Sequence, residues 1–173
     1  LSSDDQMNPT ALEIYSDTIR QLWDHKEKLF IVSDIEEFGD NGETIRLTTK
    51  SASSFARVAY TNKTFSNSRN MYDTYSGAEA LTDGLERLSN IGHFCSTVYP
   101  RTLWESVEGY SGVRTISPDT HFALKILTKN PLVVHINKPL FRYRIQLSDN
   151  RVSLIQNIRL QMDQYLDTLE FAT

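Results

Sequence analysis

The sequence has little cysteine, glycine or proline, and it has no long hydrophobic run. Cys95 is the single cysteine among 173 residues, so the chain can form no internal disulfide and no cysteine-rich zinc cluster. This absence favours a reducing, cytoplasmic compartment. With 7 glycines and 5 prolines the chain is neither collagen-like nor of low complexity. The longest apolar runs, such as 29–32 and 132–134, are far shorter than the about 18 residues of a membrane span.

Positive charge is also scarce. The 18 Lys and Arg residues are outnumbered by 22 Asp and Glu, which gives a net charge of −4 with no basic stripe along the chain. Nucleic acid is therefore excluded as an expected partner. Hydrophobic residues make up 39% and charged residues 23%, a globular composition. A chain of this length buries about 70% of its unfolded surface and needs neither disulfides nor a structural metal for its core, so we expect a single domain over 1–173.

The hydrophobic pattern indicates alternating helices and strands. Apolar residues at three- and four-residue steps after Asn8-Pro9 predict a helix, with Asn8 as its cap. Two short apolar stretches, 29–32 and 44–49, flank the turn residues 39–42 and predict a hairpin. Residues 50–76 are polar with scattered aromatics, so we expect an irregular insertion or lid there.

The second half of the chain continues this alternation. Ser117-Pro118-Asp119 combines a cap, a proline and an acid, which is a strong helix-start signal. The pattern as a whole predicts helices at 78–88, 102–107, 118–129 and 152–171, and strands at 94–99, 132–136 and 140–145.

Acidic residues near the two ends of this pattern could support chemistry. Asp4 and Asp5 are adjacent carboxylates at the end of a potential strand, where hard oxygen donors suit Mg²⁺ or Mn²⁺. Taken alone, such a pair is more often a solvated acidic turn. Asp119 stands in a first helical turn, where the helix dipole stabilises any acid. Its functional interpretation is a general base that accepts a proton from a substrate hydroxyl.

The other titratable residues give weaker signals. The four histidines show no zinc-ligand spacing, so the chain is not expected to be a zinc enzyme. Cys95 has no obvious activating neighbour and is predicted to be a small buried hydrophobe. Arg142 and Arg144 alternate with aromatic residues, which is typical of an exposed strand face but also suits a clamp for diphosphate.

The order of these motifs is more specific than any one of them. It resembles the second half of a family 2 glycosyltransferase of the GT-A fold. In such enzymes a metal motif is followed by a Pro and an Ala-Leu-Glu helix, and later by a Gly-Tyr segment that leads to the catalytic Asp. The matching segments here are Leu1-Ser2-Ser3-Asp4-Asp5, Asn8-Pro9-x-Ala11-Leu12-Glu13, Val107-Glu108-Gly109-Tyr110, Ser117-Pro118-Asp119 and Pro139-Leu140-Phe141-Arg142-Tyr143-Arg144.

The resemblance implies a fold class and a reaction. The fold would be α/β, with a GT-A-like mixed sheet flanked by helices. The reaction would be inverting transfer of a sugar from a nucleotide-diphosphate donor to an acceptor hydroxyl, in polysaccharide biosynthesis, with Mn²⁺ or Mg²⁺ as cofactor. The implied roles are Asp119 as catalytic base, Asp4 and Asp5 as metal ligands, Ser2, Arg142 and Arg144 in donor diphosphate binding, and His93 and Tyr143 in acceptor binding.

The resemblance also implies that part of the enzyme is missing. Relatives carry a nucleotide-binding half before the metal motif, and nothing in this chain corresponds to it, so we expect an incomplete, weakly active portion. Ser2 stands where relatives have the first acid of that motif. The acceptor would be a glycan or a lipid-linked glycan, and the enzyme would be cytoplasmic, either free or peripheral at the inner face of the membrane. The missing half would leave a sheet edge bare, which predicts self-association or a packed partner. An alternative is a non-catalytic module of this fold that binds a saccharide or a protein.

Overall fold

A mixed sheet flanked by helices forms the centre of the fold. The computed structural model describes residues 5–48, 71–87, 92, 94–110 and 118–144, and within these ranges the sheet has five strands. Two 3₁₀ turns, Trp23–Lys28 and Phe94–Ser96, lie between the main elements. The strands and helices are β1 (Gln6–Met7), α1 (Ala11–Gln21), β2 (Leu29–Phe38), β3 (Thr44–Thr48), β4 (Tyr72–Ser76), α2 (Gly77–Arg87), α3 (Arg101–Glu105), α4 (Pro118–Leu127) and β5 (Leu132–Arg144).

The last strand, β5, organises the sheet. It pairs in parallel with β2 over its whole length, from Leu29↔Leu132 to Phe38↔Arg144. On its other edge, β4 pairs with the first part of β5 and β1 with the last part, both antiparallel. Strand β3 extends the sheet by antiparallel pairing with the second half of β2. The parallel pair therefore brings the carboxyl ends of β2 and β5 to one edge of the sheet, where ligands commonly bind in α/β folds.

Helices cover both faces of the sheet, as the alternation of side chains along β2 requires. On one face, α1 packs against alternate strand residues in a cluster that includes Ala11, Ile14, Leu29, Ile31, Val134 and Ile136. On the other face, α2, α3 and α4 pack against a second cluster that includes Ala80, Leu103, Phe122, Ile126, Phe30, Val32 and Val133. Burial of both faces explains why β2 is apolar at consecutive positions at its start.

Several predicted elements are confirmed. Helices α1, α2 and α4 begin within a few residues of the predicted starts, α3 is the predicted short helix, and β2 and β3 form the predicted hairpin. The acid Asp119 lies in the first turn of α4, as the helix-start signal indicated. The mixed α/β class of the fold is likewise as expected. The helix predicted at 152–171 lies outside the described residues.

Three predictions of local structure are wrong. The strand predicted at 94–99 is a 3₁₀ turn followed by one bridge between Val98 and Ile31, because β3 occupies the rest of that edge of β2. The two strands predicted around 137–139 are one strand, β5, whose extra residues are absorbed by register shifts opposite Ser33–Ile35. The insertion predicted at 50–76 includes β4 at its end, and residues 49–70 lie outside the described ranges.

Candidate functional site

Two arginines of β5 lie at the carboxyl edge of the sheet. The guanidinium carbon of Arg142 is 4.6 Å from the ring centre of Phe38, and that of Arg144 is 5.7 Å from the same ring. Tyr143 alternates to the opposite face of the strand, and 37% of it is exposed. The predicted diphosphate clamp and the predicted acceptor residue therefore lie on opposite faces of the same strand end.

The guanidinium of Arg142 is held by neighbouring strands. It donates hydrogen bonds to Gln6 Oε1 at 2.8 Å and to the Gly42 carbonyl oxygen at 3.2 Å, and its Nη2 is 3.0 Å from Glu36 Oε1. A hydrogen bond from the Thr44 hydroxyl, with a smaller contribution from Arg142, lowers the pKa of Glu36. Arg142 thus ties β1, β2 and the following turn together, and most of its donors are already used.

Arg144 has more donor capacity. Its Nε is 3.9 Å from Asp40 Oδ1, too far for a hydrogen bond. That Nε is also buried and makes no hydrogen bond to the described residues. Because a guanidinium carries five N–H donors, Arg144 is the better placed of the two arginines to receive an anion.

Asp5 lies beside Arg144, immediately before β1. Its Oδ1 accepts a hydrogen bond from the backbone N–H of Arg144 at 3.1 Å, and its Oδ2 is 3.8 Å from Cys95 Sγ. The weak thiol contact leaves Oδ2 with acceptor capacity. Cys95 is partly exposed rather than buried, so the prediction of a buried hydrophobe is wrong: the 3₁₀ turn directs this residue toward Asp5.

Asp119 lies in a narrow pocket on the α4 side of the sheet. The pocket has a volume of about 10 Å³, and Phe94, Thr97 and Phe122 are among its lining residues. This is room for about one water molecule or one hydroxyl group. Asp119 is partly exposed there, so its carboxylate is accessible to a hydroxyl without full loss of hydration.

An aromatic cluster borders this pocket. The ring of Tyr110 stacks on Phe122 at 4.3 Å and meets Phe94 edge-on at 5.8 Å, and its hydroxyl is 3.3 Å from that of Tyr99. Burial raises the pKa of Tyr110, with further contributions from Tyr99 and from the negative charge of Asp119. Tyr110 therefore keeps its proton at neutral pH, and its hydroxyl shares a hydrogen bond with that of Tyr99.

A short segment, 94–97, connects the two acidic positions. Cys95 contacts Asp5, while Phe94 and Thr97 line the pocket of Asp119. The segment itself is fixed from the α1 side, because the Tyr15 hydroxyl lies 3.0 Å from the Ser96 carbonyl oxygen. Asp5 and Asp119 are thus grouped around one segment, and Arg144 joins them through the hydrogen bond from its backbone N–H to Asp5. Ser2, Asp4 and His93 lie outside the described residues.

The exposed aromatic pair beside Asp119 was missed by the sequence analysis. Phe94 is 46% exposed and Tyr110 is 37% exposed, although both are large apolar rings. Glu108 and Gly109 have φ angles of 59° and 65°, and after this turn the ring of Tyr110 packs against Phe94 and Phe122, which line the pocket. The Gly-Tyr pair was noted as part of a motif, but the return of the chain toward Asp119 depends on tertiary packing.

The described residues offer few ligands for a metal. No group of three or more His, Cys, Asp or Glu side chains suited to a metal occurs among them. Asp5 Oδ2 fits a cation such as Mg²⁺, which takes one or two protein carboxylates and fills its other positions with water and substrate phosphates. A site that needs a closed set of protein ligands does not fit this part of the chain.

No protein-family model matches the chain, and no curated protein matches it significantly. None of the helices in the described ranges combines the length and the apolarity needed to cross a membrane.

Proposed function

We propose that this chain is the metal-motif, acceptor and catalytic-base portion of a nucleotide-sugar-dependent, GT-A-like glycosyltransferase. The observation that carries the proposal is the grouping of Asp5 and Asp119 around segment 94–97, with Asp5 also bound to the backbone N–H of Arg144. A sugar transferase needs an anion-binding end for the leaving diphosphate and a basic group for the acceptor hydroxyl. These two requirements correspond to the two ends of the grouping.

At the donor end, Arg144 and Asp5 have complementary roles. The partly exposed guanidinium of Arg144 suits a phosphate oxygen, and charge-assisted bonds of this kind are about twice as strong as neutral ones. Asp5, with Asp4 before it, would hold Mn²⁺ or Mg²⁺, which offsets negative charge on the leaving diphosphate. Arg142 holds this edge of the sheet together through its bonds to Glu36 and Gln6, so few of its N–H groups remain for the diphosphate of the nucleotide sugar.

At the acceptor end, Asp119 is the proposed general base. Its carboxylate accepts the proton of the acceptor hydroxyl while the hydroxyl oxygen bonds to the anomeric carbon. The bond from that carbon to the diphosphate oxygen breaks on the opposite side, so the configuration inverts and the electron pair leaves with the diphosphate. Tyr110, protonated and next to Asp119, supplies a hydrogen bond to the incoming group.

The substrates of this proposal are a nucleotide sugar and a glycan or lipid-linked acceptor. A partner segment or a second chain would bind the nucleoside, since the described sheet offers only its diphosphate end. A lipid-linked acceptor would place the reaction at the inner face of the membrane. Tyr143, together with His93, remains proposed for the acceptor, and Ser2 for the donor.

The test replaces Asp119 by Asn in the full protein and measures transfer from a panel of nucleotide sugars with Mn²⁺. Loss of a general base lowers the rate by about 10²- to 10⁴-fold while donor binding is retained. The matched control is Asp17→Asn, which changes an exposed acid on α1 and should leave transfer unchanged. Equal rates in both variants would contradict the proposal and favour the non-catalytic binding module.

A further inference from the structure

A larger pocket lies on the α1 face of the sheet, away from Asp119. It has a volume of about 260 Å³, near the lower end of ligand pockets at about 300–1,000 Å³. Its floor is aliphatic, and its walls come from the end of α1 and from the segment after the 3₁₀ turn at Phe94–Ser96. Leu29, Ile31 and Val98 form the floor, and Ile19 and Pro100 belong to the walls. Asp119 belongs to the opposite face, so the two pockets are separate.

The rim of this pocket carries one aromatic and two charged residues. Trp23 is 55% exposed, and the ammonium of Lys26 lies 4.2 Å from the centre of its ring. Within the described ranges Lys26 has no ion-pair partner, so N–H donors of its ammonium are left over. Glu27, in contrast, accepts a hydrogen bond from the Thr102 hydroxyl at 3.0 Å.

We propose that this pocket binds a small organic monoanion with a compact apolar body, aromatic or branched aliphatic, and one carboxylate. The apolar body fits the floor of Leu29, Ile31 and Val98, where a polar group would lose its hydration without a partner. The carboxylate meets Lys26 at the rim, beside the exposed ring of Trp23. Glu27 on the same rim repels a second negative charge, which disfavours dicarboxylates and phosphates.

The test compares two size-matched probes, phenylacetate and phenethylamine, by saturation-transfer NMR titration of the full chain. Phenylacetate is expected to bind more tightly than the amine by up to about fivefold, the upper end for one exposed ion pair. Lys26→Gln should remove that preference by weakening phenylacetate by up to about fivefold. The matched control is Lys28→Gln in the same 3₁₀ turn, which does not line the pocket and should change neither affinity.

Two further measurements separate this proposal from other occupants. Ile19→Trp fills the pocket and should abolish saturation transfer to phenylacetate, with folding checked by circular dichroism. Equal affinities for the two probes, or no binding of phenylacetate at millimolar concentration, would refute the proposal. It would also be refuted by a concentration-dependent dimer in light scattering that Ile19→Trp dissociates, because a second copy would then be the occupant.

Discussion

A buried pair within the sheet, Asp34 and His135, offers a sharp test of the energetics of this fold. His135 is fully buried and Asp34 is 5% exposed, and His135 Nε2 is 2.9 Å from Asp34 Oδ1. The other ring nitrogen, Nδ1, is buried without a hydrogen bond in the described part of the chain. Among the residues that the structure describes, the carboxylate is therefore the one hydrogen-bond partner of this imidazole.

Removal of both partners should cost less than the sum of the two single removals. Asp34→Ala leaves the imidazole unsatisfied, which costs about 1–3 kcal/mol in addition to the lost volume. His135→Leu leaves a buried carboxylate without its donor, and the cost is similar or larger. In the double variant neither group remains to be desolvated, so the two costs should not add. We expect a coupling free energy of about 1.5–3 kcal/mol, the range of hydrogen bonds to charged groups.

The assay is urea unfolding at neutral pH for the wild type, the two single variants and the double variant. The unfolding midpoint should shift while the slope with urea stays constant, which shows that the stability itself has changed. A parallel cycle on Asp17 and Arg20, an exposed ion pair at 3.1 Å, is the control and should give a coupling of about 0.2–0.5 kcal/mol. Additive effects at Asp34 and His135 would refute the inference that they form an energetic unit.

Two further predictions concern the arginine edge and the core. Interactions in the folded state lower the pKa of Glu36, so they stabilise the fold fully at pH values above the unfolded pKa of about 4.3. This stabilisation is lost as the pH falls through the folded pKa. Glu36→Gln should therefore flatten the decrease of the urea midpoint in acid. The control is Glu13→Gln, which changes an exposed side chain of α1 and should leave this decrease as in the wild type. An unchanged acid slope in Glu36→Gln would contradict the stabilising role given to Glu36. Ile126→Ala, at a fully buried position in α4, should lower the free energy of unfolding by about 2–5 kcal/mol, and Leu12→Ala, at a position 70% exposed, by less than about 0.5. Similar thermal midpoints for these two variants would contradict the packing of α4.

Local signals predicted the helices better than the strands. Helices α1 and α4 follow proline-containing start signals and carry apolar residues at helical spacing, so residues close in sequence determine where they lie. Strand β4 has no such pattern: Tyr72–Ser76 contains three polar residues, and its conformation depends on pairing with β5, about 60 residues later. Long-range pairing of this kind overrides local propensity.

The same distinction applies to the candidate site. Alternation along β5 predicted that Arg142 and Arg144 lie on one side of the strand, because strand side chains repeat every two residues. It could not predict that Gln6, Glu36 and Gly42 accept hydrogen bonds from the guanidinium of Arg142. Arg144 therefore has more N–H groups available for an anion than Arg142 has. That difference arises from three distant segments that meet only in the folded sheet.

Tyr15 explains how the candidate site is held in place from the far side of the sheet. Its hydroxyl lies between the Ser96 carbonyl oxygen and the Ser33 hydroxyl, and burial raises its pKa, so it stays protonated and can donate. The bond to Ser96 fixes the turn that holds Phe94 and Cys95 between Asp119 and Asp5. Because α1 supplies Tyr15, the helix that follows β1 also sets the distance between the two acidic ends of the proposed reaction.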